Sequence, residues 1–217
     1  MVGNKTAGRG FPTLEIKVKI CGLTRKKDID LVNKLLPDYV GFVFAESRRK
    51  VRLEEAKKMA LDLNPAIKKV GVFADAPREF VSTAASECSL DILQFHGAEA
   101  NGYWQGFAQP VWKALSVNNR NDLAHAGLFS GIDGLLLDSS GGGSGKAFDW
   151  NLARGLNVPY PLILAGGLNP ENVARAIGIV RPHAVDVSSG VETGGVKDFL
   201  KIKQFIENVR GLREYCG

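Results

Sequence analysis

Short apolar segments recur along the chain, and longer segments with apolar residues three and four positions apart lie between them. A short apolar run is typical of a strand that is buried on both faces, and the spacing of three and four is typical of a helix with one buried face. The pattern therefore predicts alternating strands and helices. Eight strands are predicted, at residues 16–20, 39–44, 69–73, 91–95, 111–115, 134–138, 161–165 and 184–187.

The predicted helices differ in how clearly the sequence marks them. A helix over residues 26–36 has Thr24 as its candidate cap, and another is predicted to begin near Pro77. Asn169 and Pro170 predict a further helix start, because a capping side chain is followed by proline at the first helical position. The helix after the second strand has one apolar face, formed by Leu53, Ala56, Met59, Ala60 and Leu63. The closing helix has another, formed by Phe199, Ile202, Phe205, Ile206 and Val209.

Eight strand and helix units in a chain of 217 residues favour one compact domain. The predicted fold class is α/β, as a closed parallel (β/α)8 barrel of the TIM-barrel type, whose functional sites lie at the carboxyl ends of the strands. A doubly wound open sheet is the alternative, although it usually has fewer strands. The barrel is predicted to span residues 16–217, and residues 1–15, which lack periodicity, are predicted to be a disordered extension.

The segment 134–150 combines a buried strand, an acidic residue and a run of glycines. The strand ends at Asp138, and the glycines that follow leave their backbone N–H groups unshielded, which suits them to bind an anion such as phosphate. A flexible linker is the ordinary interpretation of glycine and serine, but this run is short and lies between a strand and an aromatic segment. Two nucleotide-binding motifs do not fit, because Ser140 and Phe148 stand where they need glycine.

The last two strands also end in glycine-bearing segments. In a barrel of this type, phosphate is expected in the loops that follow the last strands. The sequence therefore predicts one phosphate site that is made by three loops. Its predicted residues are Gly143, Ser144, Gly145, Gly166, Gly167, Ser189 and Gly190.

Three other strand ends carry side chains that suit chemistry. Lys19 and Cys21 share one face of the first strand, and an isolated cysteine is ordinarily an inert packing residue unless it lies at such a rim. The cationic loop 47–51 suits a carboxylate, although surface charge is its ordinary interpretation. His96 ends the fourth strand and is a binding candidate only. No metal site is predicted, because no group of His, Cys and Asp has metal-ligand spacing.

Charge and cysteine content narrow the classes of function. The net charge is +5 and the isoelectric point is about 9.1, but Lys and Arg are scattered without interleaved aromatic residues. A phosphorylated small molecule is therefore predicted as the partner, and nucleic acid is not. The three cysteines, Cys21, Cys88 and Cys216, are odd in number and widely spaced, which indicates the reducing cytoplasm. No apolar run of a signal peptide or membrane span occurs, so no membrane association is predicted.

Several motifs together resemble one family, phosphoribosylanthranilate isomerase of tryptophan biosynthesis. The similarity runs from the first strand to the last helix, through the segments 19–24, 94–97, 142–146, 165–168, 186–192 and 197–198. The resemblance implies an isomerase, that is, an intramolecular oxidoreductase, that acts without a cofactor. It implies the Amadori rearrangement of N-(5-phosphoribosyl)anthranilate to 1-(2-carboxyphenylamino)-1-deoxyribulose 5-phosphate. The oligomeric state stays open between a monomer and a homodimer.

The resemblance also implies roles for single residues. Asp138 would be the acid that protonates the furanose ring oxygen, and Cys21 would be the base that removes the C2 proton. Both groups need shifted pKa values for these tasks, and Lys19 and the substrate iminium would supply positive charge that favours the Cys21 thiolate. The implied substrate-binding residues are Lys19, Arg49, His96 and Asp186.

The carboxylate-binding arginine depends on how one loop aligns with the family. The loop between Phe44 and Ser47 is one residue shorter than usual, which leaves Arg48 and Arg49 as alternatives, and Arg49 is preferred because it keeps the local spacing. Two rival functions are also considered. One is the sister isomerase of histidine biosynthesis, whose base is an Asp at the end of the first strand, and the cysteine here disfavours it. The other is a non-catalytic barrel that binds phosphate or nucleic acid.

Overall fold

The computed structural model describes residues 15–139 and 147–212, and within them eight parallel strands close into a barrel in sequence order. The predicted (β/α)8 barrel is confirmed, and every strand lies within two residues of its predicted ends. The strands are β1 (Lys17–Cys21), β2 (Tyr39–Val43), β3 (Lys68–Phe73), β4 (Ile92–Phe95), β5 (Val111–Val117), β6 (Gly134–Ser139), β7 (Leu162–Leu164) and β8 (Ala184–Val187). A short antiparallel pair, β9 (Glu192–Thr193) and β10 (Val196–Lys197), follows.

The helices of the outer layer are less regular than the strands. The α-helices in the described ranges are α1 (Lys26–Leu35), α2 (Leu53–Leu61), α3 (Arg78–Glu87), α4 (Val173–Val180) and α5 (Phe199–Gly211). In the described residues, the connections after β5 and β6 contain the 3-10 helices Arg120–His125 and Trp150–Ala153 and no α-helix, and segment 101–106 after β4 is a series of turns. After β5, the Asp122 carboxylate accepts hydrogen bonds from the backbone of Asn119 and its neighbour, and such local bonds compete with a longer helix.

The first helix begins at Lys26, as predicted, but its cap residue differs from the prediction. Thr24 is predicted as its cap, but the residue in the cap position of α1 is Arg25. The reason is the carboxylate of Asp28, which reaches back and accepts hydrogen bonds from the backbone N–H groups of both Thr24 and Arg25, each at 3.0 Å. The backbone donors at this helix start are therefore satisfied from within the first turn.

The start of α4 is also displaced from its prediction. The pair Asn169 and Pro170 predicts a helix start, but α4 begins only at Val173. Asn169 and Asn172 instead exchange hydrogen bonds, since the side chain of each accepts from the backbone N–H of the other at 2.9 Å. The capping chemistry of Asn169 is real, but it closes a separate turn before the helix.

The remaining helix predictions agree with the structure. Pro77 immediately precedes α3, and the predicted apolar face of α2 is buried at Ala56 and Met59. In α5 the apolar face is buried except at Phe199, the first helical residue, which stays partly exposed. Within the described ranges, no helix is long and apolar enough to cross a membrane. Residues 1–14 of the predicted extension and Cys216 lie outside the described residues.

The barrel interior changes from apolar to polar along the strands. The rings of Tyr39 on β2 and Trp112 on β5 are 5.1 Å apart, and this contact crosses the interior because the two strands are not neighbours. An apolar cluster surrounds these rings, formed by Val70, Ile92, Ala114, Leu136, Ile163, Ala165 and Ala184. Side chains alternate between the two faces of a strand, and the next inward positions on β1, β4, β5, β6 and β8 are mostly polar. They are Lys19, Cys21, Gln94, His96, Ser116, Asp138, Asp186 and Ser188.

Candidate active site

A cavity of about 380 Å³ opens at the carboxyl ends of the barrel strands, and its wall is formed by seven of the strands and by the segment that directly follows β7. This is the end of the barrel at which functional sites are expected. The cavity brings together eight of the predicted site residues: Cys21, Arg49, His96, Asp138, Gly166, Gly167, Asp186 and Ser189. Lys19 and Gly190 lie nearby but do not line it.

Cys21 lies at the end of β1, with its thiol against the backbone of Gly41 on β2. A Cβ atom at Gly41 would lie 2.6 Å from Sγ of Cys21 and 3.2 Å from Nζ of Lys19, so only glycine leaves room for both groups. Burial raises the pKa of the Cys21 thiol, and the opposing positive charge of Lys19 does not cancel that rise. Lys19 therefore lowers the pKa of Cys21, in the predicted direction, but desolvation raises that pKa by more.

Lys19 is fully buried and forms an ion pair with Asp186. Its Nζ donates to Oδ2 of Asp186 at 3.0 Å, between β1 and β8, whose register places the two residues side by side. Burial opposes the charge of Lys19, but Asp186 and Cys21 outweigh that effect and raise the pKa of its ammonium group. Within the described residues, Oδ1 of Asp186 has no hydrogen-bond partner, and an unpaired buried oxygen is a candidate ligand contact. Direct contact between Lys19 and a substrate stays a prediction, because Lys19 has no exposed surface.

Asp138 ends β6 and is contacted from two sides. Its Oδ1 accepts a hydrogen bond from the backbone N–H of Ser139 at 2.7 Å, and its Oδ2 lies 3.3 Å from Nε2 of His96. Gly166 packs against the same carboxylate with a φ of +80°, and a Cβ there would lie 2.8 Å from Oδ1. Gly166 therefore permits the loop after β7 to approach Asp138, a role that its predicted contact with phosphate does not include.

His96 is oriented by Gln94, which lies two positions earlier and points into the same cavity. The side-chain nitrogen of Gln94 lies 3.5 Å from Nδ1 of His96. The imidazole therefore faces Gln94 with Nδ1 and Asp138 with Nε2. The oxygen of the Gln94 side chain is buried and has no hydrogen-bond partner in the described part of the chain. Gln94 is therefore a site residue to which the sequence analysis gave no role.

Arg49 lines the cavity and Arg48 does not. The carboxylate of Glu192 accepts from Nε of Arg49 at 2.6 Å and from Nη2 at 3.0 Å. The side chain of Arg48 is 56% exposed and reaches the same carboxylate from outside, while Lys197 donates to it at 2.9 Å. Burial would raise the pKa of Glu192, but the hydrogen bond from Arg49 and the charge of Lys197 lower it overall. Glu192 is thus an anion held by three cations.

The loops after β7 and β8 touch each other beside the cavity. A Cβ atom at Gly190 would lie 1.9 Å from the carbonyl oxygen of Leu168, so no larger residue fits at this contact. Gly167 has a φ of +64° and lines the cavity together with Ser189. The third loop of the predicted phosphate site, Gly143, Ser144 and Gly145, lies outside the described residues.

A chain of hydrogen bonds links the Cys21 strand to the Arg49 loop, through residues that the sequence analysis did not single out. The hydroxyl of Ser188 donates to the carbonyl oxygen of Cys21 at 3.0 Å, and Lys197 donates to the carbonyl oxygen of Ser188 at 3.0 Å. Ser188, Glu192 and Lys197 lie in segments 186–192 and 197–198, which resemble the family. That resemblance is the feature of the sequence from which they could have been identified. Within the described ranges, no three His, Cys, Asp or Glu side chains are placed to hold a metal ion.

The sequence model of the family described as N-(5'phosphoribosyl)anthranilate (PRA) isomerase matches residues 18–208. The chain is also 50% identical over 199 residues to the N-(5'-phosphoribosyl)anthranilate isomerase of Clostridium kluyveri, across 91% of this chain and 100% of the relative. Sequence similarity to this family therefore extends over almost the whole described barrel.

Solved structures of phosphoribosylanthranilate isomerases are also similar to this chain. The dimeric phosphoribosylanthranilate isomerase of Thermotoga maritima, solved as monomers, is 40% identical with a TM-score of 0.81, over 90% of this chain and 99% of the other. A phosphoribosyl anthranilate isomerase in complex with reduced 1-(O-carboxyphenylamino)-1-deoxyribulose 5-phosphate is 39% identical with a TM-score of 0.78, over 90% and 99% of the two chains. Both identities are high enough for the similarity to extend beyond the fold.

Proposed function

The chain belongs to the N-(5'-phosphoribosyl)anthranilate isomerase family of tryptophan biosynthesis, and we propose that Asp138 and Cys21 are the acid and the base of its reaction. The observation that carries this proposal is that a carboxylate and a thiol line one cavity from β6 and β1, which are not neighbouring strands. The Amadori rearrangement needs a proton donor and a proton acceptor on opposite sides of the substrate. The cavity supplies one of each.

The proposed reaction has two proton transfers. Asp138 donates a proton to the furanose ring oxygen, the bond between C1 and that oxygen breaks, and the nitrogen lone pair forms an iminium with C1. Cys21 then removes the proton from C2, the electrons of that C–H bond form a double bond between C1 and C2, and the iminium electrons return to nitrogen. The resulting enolamine tautomerises to the ketone product.

The environment of Cys21 affects how much thiolate is available for the second transfer. Because burial raises its pKa, the thiol is largely neutral in the free enzyme at neutral pH. Lys19 already favours the thiolate, and the positive iminium of the opened substrate would add to that effect. We therefore propose that the thiolate is most stable when the reacting form of the substrate is present.

Four side chains are assigned to substrate binding. Glu192 bonds Arg49 through Nε and Nη2, so Nη1 is the nitrogen that we assign to the anthranilate carboxylate. The unpaired Oδ1 of Asp186 is assigned to a ribose hydroxyl, and Lys19 supports it from below through Oδ2. His96 contacts the substrate beside Asp138.

The phosphate group is assigned to the loops after the last three strands. Gly166, Gly167, Ser189 and Gly190 belong to the two loops that touch beside the cavity. Backbone N–H groups of such glycine-bearing loops bind phosphate without a dedicated cation. The loop after β6 is proposed to complete the site with Gly143, Ser144 and Gly145.

The proposal also covers the cofactors, binding partners, cell compartment and oligomeric state of the enzyme. We propose that it needs neither a cofactor nor a metal, that it binds neither nucleic acid nor membrane, and that it acts in the cytoplasm. The free thiols of Cys21 and Cys88 are consistent with a reducing compartment. A monomer and a homodimer are both compatible with the chain, and the dimeric Thermotoga maritima relative supports the homodimer.

The test of this function is the fluorescence of N-(5-phosphoribosyl)anthranilate. Purified protein is added to freshly formed substrate in a buffer that contains a chelator, and we expect the substrate fluorescence to fall at a rate proportional to protein concentration. A folded protein that leaves the fluorescence unchanged would overturn the proposed activity. Activity that is lost with the chelator and restored by a divalent cation would overturn the metal-free mechanism alone.

A further inference from the structure

We propose that Lys113 and Glu99 form a clamp that positions His96 for the reaction, although neither side chain lines the cavity. The clamp consists of the buried ion pair between these two residues and the backbone segment 95–99 that the pair holds. The inference rests on the function proposed above, because it concerns the placement of His96 beside Asp138. It makes Lys113 and Glu99 positioning residues.

Lys113 points away from the barrel interior. Its neighbours on β5, Trp112 and Ala114, belong to the interior apolar cluster, and successive strand residues alternate between the two faces. Lys113 is nevertheless buried, with only 4% of its surface exposed. In the register of β4 and β5 it lies beside Phe95, the residue before His96. The lysine therefore lies between the barrel wall and the outer layer, at the level of His96.

The ammonium group of Lys113 holds the backbone on both sides of His96. Its Nζ donates to the carbonyl oxygen of Gly97 at 2.7 Å and lies 3.4 Å from the carbonyl oxygen of Phe95. Its third contact is Oε2 of Glu99, at 2.9 Å. The Phe95 carbonyl belongs to the peptide group before His96, and the Gly97 carbonyl to the second peptide group after it, so one cation restrains the backbone on both sides of His96.

Glu99 holds the same segment from the other direction. Its Oε1 accepts hydrogen bonds from the N–H of Asp75 at 3.0 Å and from the N–H of Gly97 at 3.3 Å. Asp75 in turn accepts from the N–H of Ala98 at 2.8 Å. A Cβ atom at Gly97 would lie 2.6 Å from the backbone nitrogen and from Oδ1 of Asp75, so the two loops pack without free space. The segment is therefore held against both β5 and the loop after β3.

Stability alone does not explain a buried ion pair at this position. Replacing such a pair by apolar residues of similar volume is often neutral or stabilising, because the two charges lose their hydration. Lys113 and Glu99 provide something apolar residues cannot, namely directed bonds to four backbone groups around His96. Nε2 of His96 is 3.3 Å from Oδ2 of Asp138, so a small displacement of the segment would break that contact.

The test is the double variant Lys113→Met with Glu99→Gln, which removes both charges and keeps similar volumes. We expect kcat to fall by about 10- to 100-fold, with little change in KM, because a misplacement of about 1 Å has effects of this size. We also expect the ¹⁵N resonances of the His96 imidazole to move. The chain has three histidines, and His183, which accepts from the N–H of Leu162 at the amino end of β7, is the internal reference.

The control is Lys17→Met with Asp38→Asn, which removes a more exposed ion pair at the amino ends of the strands. This control should leave kcat and the His96 resonances unchanged. An active wild type whose clamp variant keeps both kcat and the His96 resonances overturns the clamp and leaves the proposed function intact, whereas an inactive wild type overturns the function itself. If the double variant does not fold, the single variant Glu99→Gln is the test, because glutamine keeps an acceptor oxygen. Shifted His96 resonances with a smaller fall in kcat support the clamp. Unchanged His96 resonances and an unchanged kcat overturn it.

Discussion

The two walls of the cavity differ in how they hold the side chains that we propose as base and acid. Cys21 lies among ion pairs, with Lys19 and Asp186 on one side and Arg49 with Glu192 on the other. The charges near the thiol are therefore fixed in place before any substrate binds. Nearby positive charge favours the deprotonated form of a thiol, and Lys19 supplies such a charge beside Cys21.

The Asp138 wall, as far as the described residues go, holds its carboxylate by the backbone and by one histidine. The backbone N–H of Ser139 donates to Oδ1, and Nε2 of His96 lies 3.3 Å from Oδ2. The two walls therefore surround the proposed base and the proposed acid with different groups: buried ion pairs around Cys21, and a backbone N–H and an imidazole around Asp138.

The largest expected effect comes from removing the reactive group of either wall. Cys21→Ser replaces the thiol by a hydroxyl that does not ionise near neutral pH, and Asp138→Asn replaces the acid by an amide that does not donate a proton to the ring oxygen. General acid and base groups contribute about 10²- to 10⁴-fold to a rate, so each variant should lose kcat by that amount. The measurement is substrate fluorescence, with a thermal melt to show that the fold is kept.

Cys88→Ser is the matched control for the thiol. Cys88 is as buried as Cys21 but belongs to the apolar core and does not line the cavity. Its replacement should lower the melting temperature and leave kcat close to the wild-type value. If Cys21→Ser kept the wild-type kcat while losing stability in the same way, Cys21 would be a packing residue and the comparison between the walls would lose its chemical meaning.

A smaller effect is expected at the charged wall, where Arg49 and Arg48 share one anion. Arg49→Ala should raise KM, because the anthranilate carboxylate loses a charged hydrogen-bond donor worth about 1.5–3 kcal/mol, or roughly 10- to 150-fold. Arg48→Ala should leave KM nearly unchanged, since Arg48 is largely exposed and outside the cavity lining. The measurement is the steady-state KM of the two variants, determined side by side. A raised KM for Arg48→Ala with an unchanged KM for Arg49→Ala would assign the carboxylate to Arg48.

The strands, and the places of Cys21 and Asp138 in the cavity, could be predicted because both depend on local sequence. Apolar runs mark strands that are buried on both faces, and the last inward position of a strand in a closed barrel faces the site. Cys21 and Asp138 occupy such positions. The helix caps were less predictable, because a side chain inside the first turn, as at Asp28, can satisfy the donors that a cap residue would otherwise satisfy.

The supporting ion pairs could not be predicted, because their partners are brought together only by the closed barrel. Arg49 and Glu192 are separated by 143 positions in the chain, and each alone has the ordinary interpretation of surface charge. Lys113 and Glu99 are closer, at 14 positions, but a lysine in an apolar strand does not reveal which loop it holds. Pairing of this kind follows from tertiary structure.

The smallest expected effect concerns the ionisation of Cys21 itself. Burial raises its pKa, so the rate of alkylation by iodoacetamide should increase with pH, with a midpoint above the ordinary value of about 8.5. Lys19→Met removes the cation that stabilises the thiolate, and the midpoint should therefore move to still higher pH. The experiment uses a Cys88→Ala and Cys216→Ala background, so that the reagent reports one thiol.

Lys197→Met separates the specific effect of Lys19 from a general loss of positive charge. Lys197 is also buried and also lowers the pKa of Cys21, but by less than Lys19 does, so its removal should move the alkylation midpoint upward by a smaller amount. A Lys19→Met midpoint that stays in place or moves to lower pH would show that the ion pair with Asp186 does not act on the thiol. The ion pairs around Cys21 would then serve only to bind the substrate. The Cys21 thiolate would be stabilised by the iminium of the bound substrate instead.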